Sequence, residues 1–187
     1  GGDARLFDLL NVRYLLTAPG APVRDPKYRL AFRGDLDVHE NTRALPRAFV
    51  VHRSVTARTL EEILDYMNGS RFDPAAEVVL EEEPAPGFLP PRPAAPAMPP
   101  QAIIERHAPD EVIVTAALAA PGWLVLTDAW YPGWRASVDG RETRILRADA
   151  NYRALPLAPG THRVVFTYNP ASWRWGCALA LLALLVL

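Results

Sequence analysis

The stretch WRASVDGRETRILR, residues 134–147, decides the fold class. Asp139-Gly140 stands between two runs of extended character. Both central positions of a two-residue type I′ turn need positive φ, which Asp and Gly tolerate, so the stretch reads as a β-hairpin. Trp134, Ala136 and Val138 alternate with Arg135, Ser137 and Asp139. That period of two is the mark of a strand with one face packed and one face wet. Working outward, similar segments recur at roughly ten-residue spacing with turn residues between them, which indicates a sandwich or a barrel. AIIERH (102–107) and EVIVTAAL (111–118) flank a short Ala-Pro-Asp turn, WLVLTDAW runs 123–130, and YRALPL (152–157) and HRVVFTY (162–168) flank Ala158-Pro159-Gly160-Thr161.

The N-terminal part is more mixed. DARLFDLL (3–10) fits a short helix capped by Asp3, with Leu6, Leu9 and Leu10 on one side. VRYLLT (12–17) reads as a buried strand; YRLAFR (28–33) and LDVHEN (36–41) form a hairpin about Gly34-Asp35; RAFVVHR (47–53) and AEVVLEE (76–82) are further strands. The helix at 60–68 carries the firmest signal. Thr59 and Glu62 make an S/T-x-x-E capping box, Leu60, Ile63, Leu64 and Met67 share one face, and Gly69 reads as a left-handed stop.

Between these parts lies a change of composition. Eight of the seventeen residues from Pro84 to Pro100 are proline. Without amide donors such a segment cannot enter a sheet interior, so it reads as an extended, stiff connector. The expected architecture is therefore mainly β (α+β): a mixed α/β lobe at 1–83, the Pro-rich linker at 84–100, an antiparallel β-sandwich at 101–170, and the start of a transmembrane helix at 171–187. The two lobes form one folding unit if they share a sheet, for which VRYLLT, without an obvious partner in its own lobe, is the candidate.

Totals exclude some functions. The net charge of −1 gives no electrostatic case for a nucleic-acid partner. Cys177 is alone in an apolar run, so no disulfide framework exists. His39, His52, His107 and His162 each stand alone in strand-like contexts, and no metal-ligand spacing, P-loop, dinucleotide fingerprint or G-x-S-x-G occurs. No catalytic residue, metal site or cofactor is indicated. Glu81-Glu82-Glu83 reads as a solvated charge run.

The binding candidate lies just ahead of the hairpin, in DAWYPGW (128–134). Asp128, Trp130, Tyr131 and Trp134 have the chemistry of a carbohydrate site. Ring faces cover the apolar side of a pyranose and the carboxylate takes hydroxyl donors. The competing reading is a packing corner. Asp128 would then accept from amides of the Tyr131-Pro132-Gly133 turn. Trp130, in the parity of Leu124 and Leu126, would point into the core beside Trp134.

The tail is different again. Trp173, Arg174 and Trp175 precede CALALLALLVL, eleven residues without a polar group. Indole rings and a snorkelling Arg mark a membrane interface, and a spanning helix needs about 20 apolar residues. The chain starts without Met and stops inside this run, so it reads as a piece of a longer protein.

The ordered series LLNVRYLLT (9–17), NTRALPRAFVV (41–51), WLVLTDAWYPGWRASVDGRETRI (123–145) and NYRALPLAPGTHRVVFTYNPASWRWG (151–176), followed by an apolar helix, resembles the C-terminal region of the YfhO-like bacterial membrane proteins. N-x-x-A-L-P-R-A-F and YPGW-x-x-x-VDG are the most specific pieces. The resemblance implies a large polytopic membrane protein, similar to glycosyltransferases that use lipid-phosphate-linked sugars outside the cytoplasmic membrane. It implies that residues 1–170 are extracytoplasmic, and that the partners are membrane lipid and a lipid-linked sugar or cell-wall glycan. The catalytic carboxylate of such proteins is expected in an early outer loop, so none is carried over onto this chain.

Overall fold

The computed structural model describes residues 3–84 and 101–170, with Ser172, Trp175 and Gly176. The protein is mainly β, with several sheets. Helix α1 (Asp3–Leu9) leads into β1 (Tyr14–Thr17), β2 (Tyr28–Phe32) and β3 (Asp37–Asn41). Then come β4 (Ala48–Val51), β5 (Arg53–Thr56), helix α2 (Leu60–Asn68) and β6 (Glu77–Leu80). After the Pro-rich segment follow β7 (Gln101–His107), β8 (Glu111–Leu118), β9 (Gly122–Leu126), β10 (Trp134–Val138), β11 (Arg141–Thr143), β12 (Leu146–Ala148), β13 (Tyr152–Leu157) and β14 (Gly160–Tyr168).

The centre is a six-stranded sheet in the order β4-β9-β13-β12-β6-β5. Three of its strands precede the Pro-rich segment and three follow it. Its two edge strands, β4 and β5, are joined by His52 alone. Two Cα steps span at most about 7.6 Å, so the sheet curls until its edges nearly meet. Gly122 is required at this seam: a Cβ there would lie 2.9 Å from the Val51 carbonyl oxygen and 3.0 Å from His52 Nδ1. The curl encloses Phe49, Val51, Val78, Val79, Leu80, Trp123, Val125 and Ala154, with Ile63 and Met67 of α2 and Phe72 beyond it. β5, α2 and β6 form a parallel βαβ crossover within this sheet.

A five-stranded antiparallel sheet, β11-β10-β14-β8-β7, lies against the other face. Val112, Val114, Ala116, Val164 and Phe166 from this sheet share a core with Ala48, Val50, Leu124, Leu126, Leu155 and Leu157 from the first. Hence β9 is buried on both faces, Trp123 on one and Leu124 on the other. β8, at the outer layer, shows strict alternation of buried and half-buried residues instead.

The third sheet is β1-β3-β2. Its inner face is polar: Asp37, His39 and Asn41 are buried. Asn41 Nδ2 donates to Asp8 Oδ1 at 2.8 Å, and Lys27 Nζ donates to the same oxygen at 2.6 Å. Its outer face presents Tyr14, Leu16 and Phe32, each more than half exposed.

The Asp139-Gly140 hairpin forms as expected, with φ of 52° and 81°. So do the β7–β8 and β2–β3 hairpins and the capping box, in which Thr59 Oγ1 accepts from the Glu62 amide and Glu62 returns to the Thr59 amide. Several expectations are corrected. RETRILR is not one strand: β11 joins the five-stranded sheet and β12 the six-stranded one, because the chain crosses between layers at Arg144 and Ile145. WLVLTDAW ends as a strand at Leu126. VRYLLT pairs with β3 inside its own part, and the sheet shared across the linker is built from β4, β5 and β6. Gly69 ends α2 in extended conformation, φ −64° and ψ 152°; its amide caps the Asp65 and Tyr66 carbonyls without a left-handed turn. Only Ile63 and Met67 of the expected helix face are buried, since α2 meets the sheet along a narrow stripe and leaves Leu60 and Leu64 exposed.

Candidate carbohydrate-binding corner

Past Leu126 the chain leaves the six-stranded sheet and turns through residues 127–133 to enter β10 in the other one. The Pro132-Gly133 step makes this corner possible. Gly133 has φ +108°, and a Cβ there would stand 3.0 Å from Pro170 Cα and 3.1 Å from the Tyr168 ring. Its carbonyl accepts from the Asn169 amide at 2.9 Å. The corner is thus pinned to the end of β14.

Asp128 is not an open acid. Its Oδ1 accepts from Arg47 Nη1 at 3.2 Å and its Oδ2 is 2.9 Å from His107 Nε2. Arg47 immediately precedes β4 and His107 ends β7, so this carboxylate clasps the two sheets together. Its partners are side chains distant in sequence, not the amides of the adjacent turn.

The two indoles have different fates. Trp130 is only half-buried and belongs to neither core cluster, because its strand has already ended. Its amide donates to the Asn151 carbonyl at 2.7 Å, and the Arg147 guanidinium lies 5.7 Å from its ring. Trp134 packs against the core between the sheets, as expected. One face of its ring is covered by the Arg153 guanidinium at 3.7 Å, a cation–π contact. Arg153 is itself buried, and its Nε and Nη2 both donate to the Ala129 carbonyl, at 3.1 and 2.9 Å. Burial pulls its pKa below the ordinary guanidinium value, and the nearby Asp128 charge opposes that pull.

What remains open is a tyrosine pair. Tyr131 is 63% exposed and its ring centroid lies 6.5 Å from that of Tyr168. Tyr168 lies 5.3 Å from Trp134, its cross-strand partner. Residues 131–135 form a ridge with a cleft on each side. The larger, about 540 Å³, is lined by Tyr131, Trp134, Arg135, Tyr168, Asn169 and Ser172. The smaller, about 260 Å³, has Trp130, Glu142 and Arg144 on its wall. Asp128 lines neither. Tyr168, Arg135 and Asn169 escape a sequence reading because only the β10–β14 register places them beside Trp134; the signal, an aromatic and an amide at the end of a strand, is common at any sheet edge.

Of the interface residues, Trp173 and Arg174 lie outside the described residues, as does the apolar run 177–187. Trp175 is helical and 71% exposed. Among the described residues, no helix is long and apolar enough to cross a membrane. Among them also, no three His, Cys, Asp or Glu residues are placed to hold a metal ion. Two histidines that look solitary in sequence pair with carboxylates, His107 with Asp128 and His162 with Asp139 at 2.7 Å. Compared with known proteins, the chain matches no family model, no curated protein and no solved structure.

Proposed function

We propose that the chain is the extracytoplasmic accessory domain of a polytopic, YfhO-like membrane glycosyltransferase, an antiparallel β-sandwich that holds a glycan or lipid-linked sugar beside the bilayer. The observation that supports this reading is the position of the larger aromatic cleft. Ser172 is on its wall, and Trp175 and the apolar run follow directly. Five residues from Pro170 to Trp175 span at most about 18 Å. If the apolar run inserts, the cleft stands at headgroup level, where the sugar of a lipid-linked donor would be found. Tyr131 and Tyr168 supply ring faces for the sugar, while Arg135 and Asn169 supply donors for its hydroxyls and phosphate. Trp134 lines the same cleft beside them, while Asp128 and Trp130 support it from outside in this reading.

The test is a titration of the chain with cell-wall glycan fragments, read by Trp fluorescence, for which Trp134 is the reporter. Saturable quenching is expected, with affinity about tenfold weaker in Tyr131→Ala, equivalent to about 1.4 kcal/mol. A flat titration at every glycan defeats the reading.

A second reading, a structural self-interaction domain without sugar binding, is favoured by the apolar outer face of β1-β3-β2. It expects concentration-dependent association of the chain, abolished by Phe32→Asp, together with that flat titration.

A further inference from the structure

We infer that the cleft between α1 and the loop following α2 is a second binding site, specific for a phosphate-bearing ligand. It does not depend on the aromatic corner, and it is built by three separate parts of the chain. α1 contributes Arg5 and Asp8, the turn after β3 contributes Arg43, and the loop between α2 and β6 contributes Ser70, Arg71 and Asp73. The cleft is open to solvent on one side and has a volume of about 530 Å³, within the range of small-molecule sites.

The charges in this cleft are not equivalent. Arg5 is consumed by the fold: Nη1 donates to the Ser70 and Phe72 carbonyls at 2.9 and 2.7 Å, and Nη2 to the Gly69 carbonyl at 2.8 Å. It shapes the loop and fixes its distance from α1. Asp8 is consumed as well, buried and holding Lys27 and Asn41. Asp73 accepts from the Ala75 amide at 3.1 Å and is the one carboxylate that still opposes an anion. Arg43 and Arg71 are exposed, and neither guanidinium bonds to or ion-pairs with any described residue. Two unspent guanidinia thus face the cleft from two walls, both fastened to α1: Arg5 holds the loop that carries Arg71, and the Leu45 amide, donating to the Asp8 carbonyl at 2.9 Å, holds the turn that carries Arg43.

This arrangement selects phosphate. A planar guanidinium presents paired N–H donors that match two phosphate oxygens, and two such forks suit a dianion. Leu45, Pro74 and Ala75 provide an apolar wall for an organic group carrying it. A phosphate ester fits this chemistry whether it is soluble or the headgroup of a lipid.

The experiment is calorimetric titration of the chain with glycerol 3-phosphate and with inorganic phosphate at low ionic strength, alongside sedimentation with phosphatidylglycerol and phosphatidylcholine vesicles. Saturable binding of glycerol 3-phosphate is expected for a soluble ester. Selective sedimentation with phosphatidylglycerol and silence of the soluble probes is expected for a headgroup. In either case Arg43→Gln with Arg71→Gln weakens binding at least about tenfold, and Tyr131→Ala leaves it unchanged. Both arginines are exposed, so the double variant should keep the parent circular dichroism and Tm. Silence in all arms, or binding that the double variant retains in full, overturns the site. Loss of glycan binding in Tyr131→Ala tests the aromatic cleft alone, so the two proposals fail separately.

Discussion

Asp149 is the least comfortable residue of the fold. It stands at φ +46° in the turn between β12 and β13, fully enclosed. Its backbone and side chain together complete the edge of β6: the Asp149 amide donates to the Val79 carbonyl and Oδ1 accepts from the Val79 amide, both at 2.8 Å. Oδ2 is buried with no hydrogen-bond partner among the described residues. Burial pushes the carboxyl up to about 7, helped by the neighbouring Glu77 charge and opposed by the Val79 hydrogen bond. A carboxyl raised in the folded state binds its proton more tightly there than in the unfolded chain. Its contribution to stability is therefore complete below about pH 4 and is lost as the pH rises to about 7, amounting to about 4 kcal/mol. Asp139 and Glu62 act in the opposite sense. Their carboxyls are held below the ordinary value, the first chiefly by His162 and the second by the Arg58 and Thr59 amides. Asp149→Asn keeps the acceptor for Val79, tolerates positive φ and cannot ionise. Urea unfolding at a series of pH values should find this variant more stable than the parent at pH 8, by a margin that shrinks as the pH falls and closes only near about pH 4. Parallel pH profiles for the two proteins would sink the assignment.

Elements whose determinants are local are legible from the sequence, and those whose determinants are distant are not. The capping box, the Asp139-Gly140 turn and the β7–β8 hairpin each depend on residues within a few positions of one another. Thr59→Ala, which removes the acceptor for the Glu62 amide, should cost about 1 kcal/mol in urea unfolding. Thr59→Ser should restore most of it, whereas equal losses in both would mean that the methyl group matters and the cap does not. By contrast, nothing within RETRILR says that it divides between two sheets. That division follows from the burial of Leu146 and Ala148 in the core behind β6; the Arg144–Glu82 ion pair at 2.6 Å is exposed and accompanies the crossing without driving it. Parity misleads at β9 for a related reason. Alternation assigns one wet face, but a strand in the central layer has none, so Trp123 and Leu124 are equally buried. The candidate site follows the same rule. Tyr131 and Trp134 sit where their spacing suggests, whereas the roles of Asp128 and Trp134 are set by Arg47, His107 and Arg153, none of which is near enough in sequence to announce it.

At the scale of the whole molecule, the Pro-rich segment divides the sequence without dividing the structure. β4 pairs with β9 along its full length, Ala48↔Leu126 to Val51↔Trp123, and β6 meets β12 at Leu80↔Ala148. Residues 3–84 taken alone would leave β4 with no partner strand and uncover Val50 and Ala48, which pack on Leu124 and Leu126. Residues 101–170 alone would leave Trp123 and Val125 facing water in place of α2 and β6. Each half thus lacks most of the apolar burial that offsets its chain entropy. Softening a connecting segment costs only fractions of a kcal/mol. Replacing residues 85–100 by a Gly/Ser segment of equal length should therefore leave Tm within a few degrees, with one transition seen alike by Trp fluorescence and far-UV circular dichroism. Expressed separately, 1–84 and 101–187 should each give collapsed proton NMR spectra, and mixing them should restore dispersion. A fragment 1–84 with native dispersion of its own, or two separated transitions in the joined chain, would show two independent bodies and remove the shared sheet as the basis of the fold.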